Sequence, residues 1–251
     1  MTNTAQAYND LTPHYHLIFQ DWHSAIKRQA VIISRLLPSP QEAGPVLDCA
    51  CGIGTQALGL AALGYEVEGT DISLGAVERA QREAAGLGVK ASFRVDDMRT
   101  LTNSPTGRYG AVLCMDNSLP HLDNDEEIST ALEAMRSRMK SDGVLLLSLR
   151  DYEKLIAERP SIIPPDFFQD GEFRRFVHQV WDWIDERSYR FHLYLTLEAS
   201  SGWQVHHVTG TYRAVTPTEV VALTERAGFK AAKVLSAEES GYYQPIILAA
   251  A

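Results

Sequence analysis

Apolar residues recur at helical spacing at Trp22, Ile26, Ile33 and Leu37, and the run stops at Pro38 and Pro40. Residues 1–44 therefore read as an N-terminal helical cap. From residue 45 the pattern changes. Short apolar runs at 45–48, 67–71, 91–95, 109–115 and 144–149 alternate with helix-period stretches at 55–63, 73–85 and 126–139. Single strands separated by helices predict right-handed βαβ units and a parallel sheet covered on both faces. Residues 45–149 form this predicted α/β core. Residues 150–213 break the rhythm. Pro160, Pro164 and Pro165 predict irregular chain, followed by strands at 173–181, 190–197 and 203–211, with Ser200-Ser201-Gly202 as the turn between the last two. This segment reads as an inserted antiparallel lid. A helix at 217–227, ended by Gly228, and a strand pair at 230–235 and 243–248 complete the sheet from residues 214–251. The expected fold is α/β and Rossmann-like, with seven strands, a helical cap and a lid.

A sheet of this type binds ligands beyond the carboxyl ends of its strands. Those ends carry the run Val46-Leu47-Asp48-Cys49-Ala50-Cys51-Gly52-Ile53-Gly54-Thr55, then Asp71, Asp97 and Asp116. Gly52 and Gly54 permit a tight turn close to a ligand. Asp71 ends the second strand about 20 residues on, where a carboxylate can accept both hydroxyl hydrogens of a ribose. Gly52, Gly54 and Ala57 also satisfy the dinucleotide pattern. However, Asp48 precedes the turn, and a carboxylate there would repel a pyrophosphate. It suits the cationic amino group of a nucleoside with an amino-acid tail. An NAD-dependent oxidoreductase and a non-catalytic binding protein are the competing readings.

This run resembles motif I of the class I S-adenosylmethionine-dependent methyltransferases, and Val67-Glu68-Gly69-Thr70-Asp71-Ile72-Ser73 resembles their second motif. Ala50 departs from the family's usual glycine and requires ordinary backbone angles there. The resemblance implies S-adenosyl-L-methionine as cofactor, leaving as S-adenosyl-L-homocysteine. It implies Ala50, Gly52, Gly54, Asp71 and Ile72 as its cradle, Asp97 and Met98 at the adenine, and Met115 beside the methionine. Asn117-Ser118-Leu119-Pro120-His121-Leu122 and Arg150-Asp151-Tyr152-Glu153 resemble the glycine and sarcosine N-methyltransferase branch. In that branch the arginine grips the substrate carboxylate and the asparagine helps orient it, roles that fall here to Arg150 and Asn117. An N-terminal arginine, here Arg28, meets the methionine carboxylate. Tyr15, from an aromatic stretch that could act as a flap, and Tyr152 complete the expected acceptor contacts. His121 either takes a proton or orders its loop; the loop role is the expectation.

Composition narrows the field further. The chain has 251 residues, 45% of them hydrophobic, enough for a substantial core. Its 32 acidic residues exceed its 23 Lys plus Arg, a net charge of −9 that argues against a nucleic-acid partner. The Asn/Asp-Pro-Pro-aromatic signature of base amino methylation is missing as well. Three cysteines, with the spacing Cys49-x-Cys51, suit neither a disulfide framework nor zinc, so no metal is expected. With no apolar signal segment and no apolar run of about 18 residues, the expectation is a cytoplasmic protein with no membrane partner. The expected activity is in-line methyl transfer to a small-molecule amine, which the resemblance makes glycine- or sarcosine-like; another small N- or O-acceptor is the alternative. Oligomeric state is not legible.

Overall fold

A computed structural model describes residues 3–251. Helices α1 (Asn3–Leu11) and α2 (Trp22–Ser34), joined by a 3-10 turn over Thr12–Ile18, form the cap. The core strands are β1 (Val46–Asp48), β2 (Val67–Asp71), β3 (Ala91–Val95), β4 (Tyr109–Cys114) and β5 (Met139–Ser148). They alternate with α3 (Thr55–Ala62), α4 (Leu74–Leu87) and α5 (Asp125–Arg138). After α6 (Tyr152–Glu158) come four lid strands: β6 (Ile162–Asp170), β7 (Phe173–Trp183), β8 (Ser188–Ala199) and β9 (Gly202–Arg213). The chain closes with α7 (Pro217–Arg226), β10 (Lys230–Leu235), α8 (Ala237–Ser240) and β11 (Ile246–Ala250).

The seven-stranded sheet has the order β10-β11-β5-β4-β1-β2-β3, with β11 antiparallel to its neighbours and the other core strands parallel. Every residue of β1 and β4 is buried, as expected of strands covered on both faces. On one face Trp22, Ile26 and Ile33 of α2 pack with Leu58 of α3 and Val77 of α4. On the other, Ile128, Leu132 and Met135 of α5 and Val220 and Leu223 of α7 form a cluster that continues into the lid through Trp181, Tyr189 and Phe191. The helices start where their side chains can cap them. Ser73 accepts from the Ala76 amide at 3.1 Å, and Thr216 with Glu219 makes a capping box on α7.

The lid corrects one expectation. Pro160 lies in irregular chain as expected, but Pro164 and Pro165 lie inside a fourth strand, β6. The strand is tolerated because it is at the sheet edge and its register with β7 shifts between Ile163 and Asp166, where the prolines lack donors. The turn at 200–201 is where it was expected, since Ala199 pairs directly with Gly202. Among the described residues no helix is long and apolar enough to cross a membrane.

Candidate active site

Two cavities lie at the carboxyl edge of the parallel strands, and Tyr8 and Tyr15 line both. The first, of about 340 Å³, gathers Ala50, Gly52, Asp71, Ile72, Asp97, Met98 and His121. The second, of about 640 Å³, gathers Arg28, Asp116, Asn117 and Arg150 beneath Phe191, Leu193 and Tyr212 of the lid. Asp48, Gly54, Met115 and Tyr152 line neither. The sequence thus placed most cofactor candidates in one cleft and most acceptor candidates in the other, with Tyr15 between them.

The loop after β1 explains the first cavity. Gly52 and Gly54 have φ of 53° and 93°, while Ala50 has no positive φ, as its side chain demands. A Cβ on Gly52 would come within 3.2 Å of the Tyr15 ring, so the backbone and the N-terminal flap approach closely here. Asp71 bridges the loop. Its Oδ2 accepts from the Gly52 amide at 2.8 Å and its Oδ1 from the Ser73 amide at 2.9 Å. Burial raises the Asp71 pKa, and the amides of Ser73, Gly52 and Ile72 offset part of that. Asp97 is less free than its position suggested. Arg99 holds both of its oxygens, at 2.6 and 3.1 Å, and itself pairs with Glu127 at 3.0 Å. Burial alone would raise Asp97; the Arg99 hydrogen bonds and charge outweigh it and hold the carboxyl below its usual range.

Asp48 lies under the loop rather than in the cavity wall. It is fully buried, and neither carboxyl oxygen has a hydrogen-bond partner of good geometry. Burial pushes its pKa up to about 8, the amides of Ala50 and Ala57 offsetting part of this while Asp116 and Asp71 add to it. Around the cavity Asp71, Asp96, Asp97, Asp123 and Glu127 outnumber Arg99, a lining that would repel a pyrophosphate and fits a cationic nucleoside.

The second cavity is built by the loops after β4 and β5. Asp116 and Asn117 both sit in the left-handed region, with φ of 56° and 66°, which Asp and Asn tolerate better than most residues. Asn117 is buried, and its side chain is spent on structure. Its Oδ1 accepts from the Arg150 amide at 3.1 Å and its Nδ2 donates to the Tyr152 hydroxyl at 3.0 Å. Tyr152 in turn lies 3.1 Å from the Tyr189 hydroxyl, so it supports the site from behind instead of facing the cavity. The Arg150 guanidinium donates to the Tyr189 hydroxyl at 2.7 Å and lies over the rings of Trp181 and Tyr212, at 4.9 and 5.1 Å. No ion pair involves it among the described residues; Asp151 caps α6 instead.

His121 ties flap to lid. Its Nδ1 lies 3.3 Å from the Thr211 carbonyl and its Nε2 2.8 Å from the Tyr8 hydroxyl. A carbonyl can only accept, so Nδ1 carries the proton and Nε2 accepts from Tyr8. Burial lowers the His121 pKa to about 4, and the ring is neutral near pH 7. Sequence reasoning missed Gln179 of β7 and the pair Tyr242 and Tyr243, which line the second cavity from a tail expected only to close the sheet. Two adjacent tyrosines before a strand were the available signal.

Residues 46–143 match the family described as "Methyltransferase domain". The chain is also similar to the putative methyltransferase YqeM of Bacillus subtilis (strain 168), 28% identical over 215 residues that cover 76% of this chain and 85% of that one. Over residues 46–143 the chain is thus similar to a methyltransferase domain. A second relative of this chain is a glycine/sarcosine N-methyltransferase of Parasynechococcus marenigrum (strain WH8102), 30% identical over 136 residues, or 54% of this chain. That match spans 48% of the relative, about half its length. The fold agrees with the S-adenosylmethionine-bound structure of CalS10, an amino pentose methyltransferase from Micromonospora echinaspora. Its TM-score is 0.71 at 19% identity, covering 92% of this chain and 91% of CalS10.

Proposed function

We propose that this protein moves a methyl group from S-adenosylmethionine to a small-molecule amine that carries a carboxylate: the ammonium first sheds a proton to solvent, and the methyl–sulfur bond then breaks as the methyl–nitrogen bond forms. Arg150 carries the reading. It is a guanidinium with no acid partner among the described residues, lying over two rings and lining the second cavity, and its planar fork matches a carboxylate. Glycine and sarcosine are the smallest members of this class. A cavity of about 640 Å³ with apolar walls falls in the range that encloses far larger ligands, so bulkier amines belong to it too.

In this reading the first cavity holds the nucleoside: Asp71 accepts from the ribose, and Met98 and Asp97 flank the base. Arg28 lines the second cavity, where it is available to the methionine carboxylate. When bound, the donor supplies an electrophilic methyl on a positively charged sulfur. The sulfur is already an activated leaving group, so we assign no metal to the reaction. Tyr8 and Tyr15 stand where the two cavities meet and exclude water there. Asn117 fixes the Arg150 backbone, and His121, its Nε2 occupied by Tyr8, orders the flap against the lid and is not the proton acceptor. Much of the rate then comes from alignment, for which effective molarities of about 10⁵–10⁸ M have precedent.

The test supplies methyl-labelled S-adenosylmethionine with a panel of amino acids, their decarboxylated amines and hydroxyl-bearing metabolites, and identifies labelled products by mass. Labelled N-methyl amino acids are expected. Label only on hydroxyl acceptors, or on decarboxylated amines as readily as on the acids, would overturn the assignment.

A further inference from the structure

We propose that Asp116 is the ammonium-binding pole of the second cavity, so that it and Arg150 together recognise a zwitterionic acceptor. The inference deepens the functional reading above and rests on it. Asp116 follows β4 and Arg150 follows β5, and these strands are parallel neighbours about 4.8 Å apart. Asn117 locks the two loops together: its amide donates to the Ser148 carbonyl at 3.0 Å and its Oδ1 takes the Arg150 amide at 3.1 Å.

Opposite charges on adjacent strand ends ordinarily pair. Here neither makes an ion pair within 4.0 Å among the described residues. The guanidinium is drawn to Tyr189 and Gln179 on the lid, at 2.7 and 3.5 Å. The carboxylate is drawn the other way. Its Oδ1 accepts from the hydroxyls of Tyr242 and Tyr243 at 2.5 and 2.7 Å, and its Oδ2 accepts from Gln56 Nε2 at 2.7 Å. All three donors are neutral. An ionised carboxylate offers about four acceptor sites, so one remains on Oδ2. The left-handed backbone at both Asp116 and Asn117 is held by this loop and by the Ser148 hydroxyl, which accepts from the Asp116 amide at 2.7 Å. Strain of this kind persists where surrounding contacts over-determine it, commonly at ligand sites.

Burial raises the Asp116 pKa, and the three neutral donors only partly relieve it. A carboxyl in that condition gains most from a cation. The cavity it lines also holds Asp166 and Arg28, so the charge balance facing Asp116 includes one further acid on β6 and one base on α2. A ligand with an ammonium for Asp116 and a carboxylate for Arg150 satisfies both unpaired groups at once.

The experiment is calorimetry on the protein saturated with S-adenosylhomocysteine. The probes are glycine, sarcosine, leucine and phenylalanine, each with its N-acetyl and carboxamide derivatives. Wild type should bind at least one free amino acid about tenfold or more tightly than its N-acetyl derivative. Asp116→Asn should abolish that preference, leaving the N-acetyl derivative and S-adenosylhomocysteine itself bound as before. Tyr243→Phe keeps the carboxylate and should keep the preference, which separates the charge from the integrity of the loop. The proposal is overturned if no free amino acid binds, if Asp116→Asn keeps the preference, or if its only effect is weaker S-adenosylhomocysteine binding, which would place the cofactor's ammonium at Asp116. If ammonium preference is present but no methyl is transferred, the functional reading fails while this pole stands.

Discussion

The nucleoside cleft and the acceptor cavity share an edge of one sheet but are built by opposite means. The floor of the cleft is made by three successive strand ends: a turn after β1, one acid at the end of β2 and two after β3, with Asp71 closing onto Gly52, while Tyr8, His121 and Thr211 add its rim from elsewhere. The acceptor cavity is assembled from segments far apart in the chain, with Tyr8, Arg28, Asp116, Arg150, Phe191 and Tyr242 contributing from the cap, core, lid and tail. A cleft whose floor comes from short local motifs keeps that part of its chemistry when the rest of the chain changes. A cavity made at the meeting of four segments can change acceptor with small changes in any of them. The electrostatics differ in the same sense. The cleft is dominated by acids, whereas the cavity holds opposite charges kept apart.

The sharpest break between the two regions is Asp71→Ala. In the proposed placement it removes two hydrogen bonds from a ribose to a charged group, worth about 3 kcal/mol together, so cofactor affinity should fall about a hundredfold by calorimetry. A folded variant with unchanged affinity would contradict the placement. Arg150→Ala tests the other side. It should lower kcat/KM for a carboxylate-bearing acceptor about 30-fold, from about 2 kcal/mol of lost charged contact, while cofactor affinity stays unchanged. An equal loss on a neutral acceptor would remove the carboxylate assignment.

The smallest effect concerns the seam. His121 has its folded pKa lowered to about 4, below the value near 6.5 of the unfolded chain. Between those values the unfolded state binds more protons, so this group's contribution to stability is present above about pH 6.5 and is lost as pH falls toward 4. Thermal melts of wild type and His121→Asn from pH 7 to 4.5 should show a steeper decline in wild type. Parallel curves would mean the ring is not buried neutral against Tyr8.

Much of the core was legible because its signals are local. Alternating strands and helices, the glycine turn, Asp71, and the cap at Ser73 each depend on residues within one crossover. The motif resemblance added the family and pointed to Asn117 and Arg150. What could not be read was partnership. Asp97 looked free for adenine, yet Arg99 holds it. Tyr152 looked like a substrate contact, yet its hydroxyl serves Asn117 and Tyr189. Pro164 and Pro165 looked like strand breakers, yet an edge position and a register shift make room for them.

The sequence by itself determined the doubly covered sheet, the acidic turn after the first strand and the likeness to methyltransferases. Burial periodicity and backbone freedom are properties of neighbouring residues, so they are written in the order of the chain. Tertiary structure alone decided which of the candidate charges are already satisfied and which face a cavity with capacity left. That depends on side chains more than 30 residues apart, as with Arg150 and Tyr189 or Asp116 and Tyr243, whose meeting no local pattern encodes.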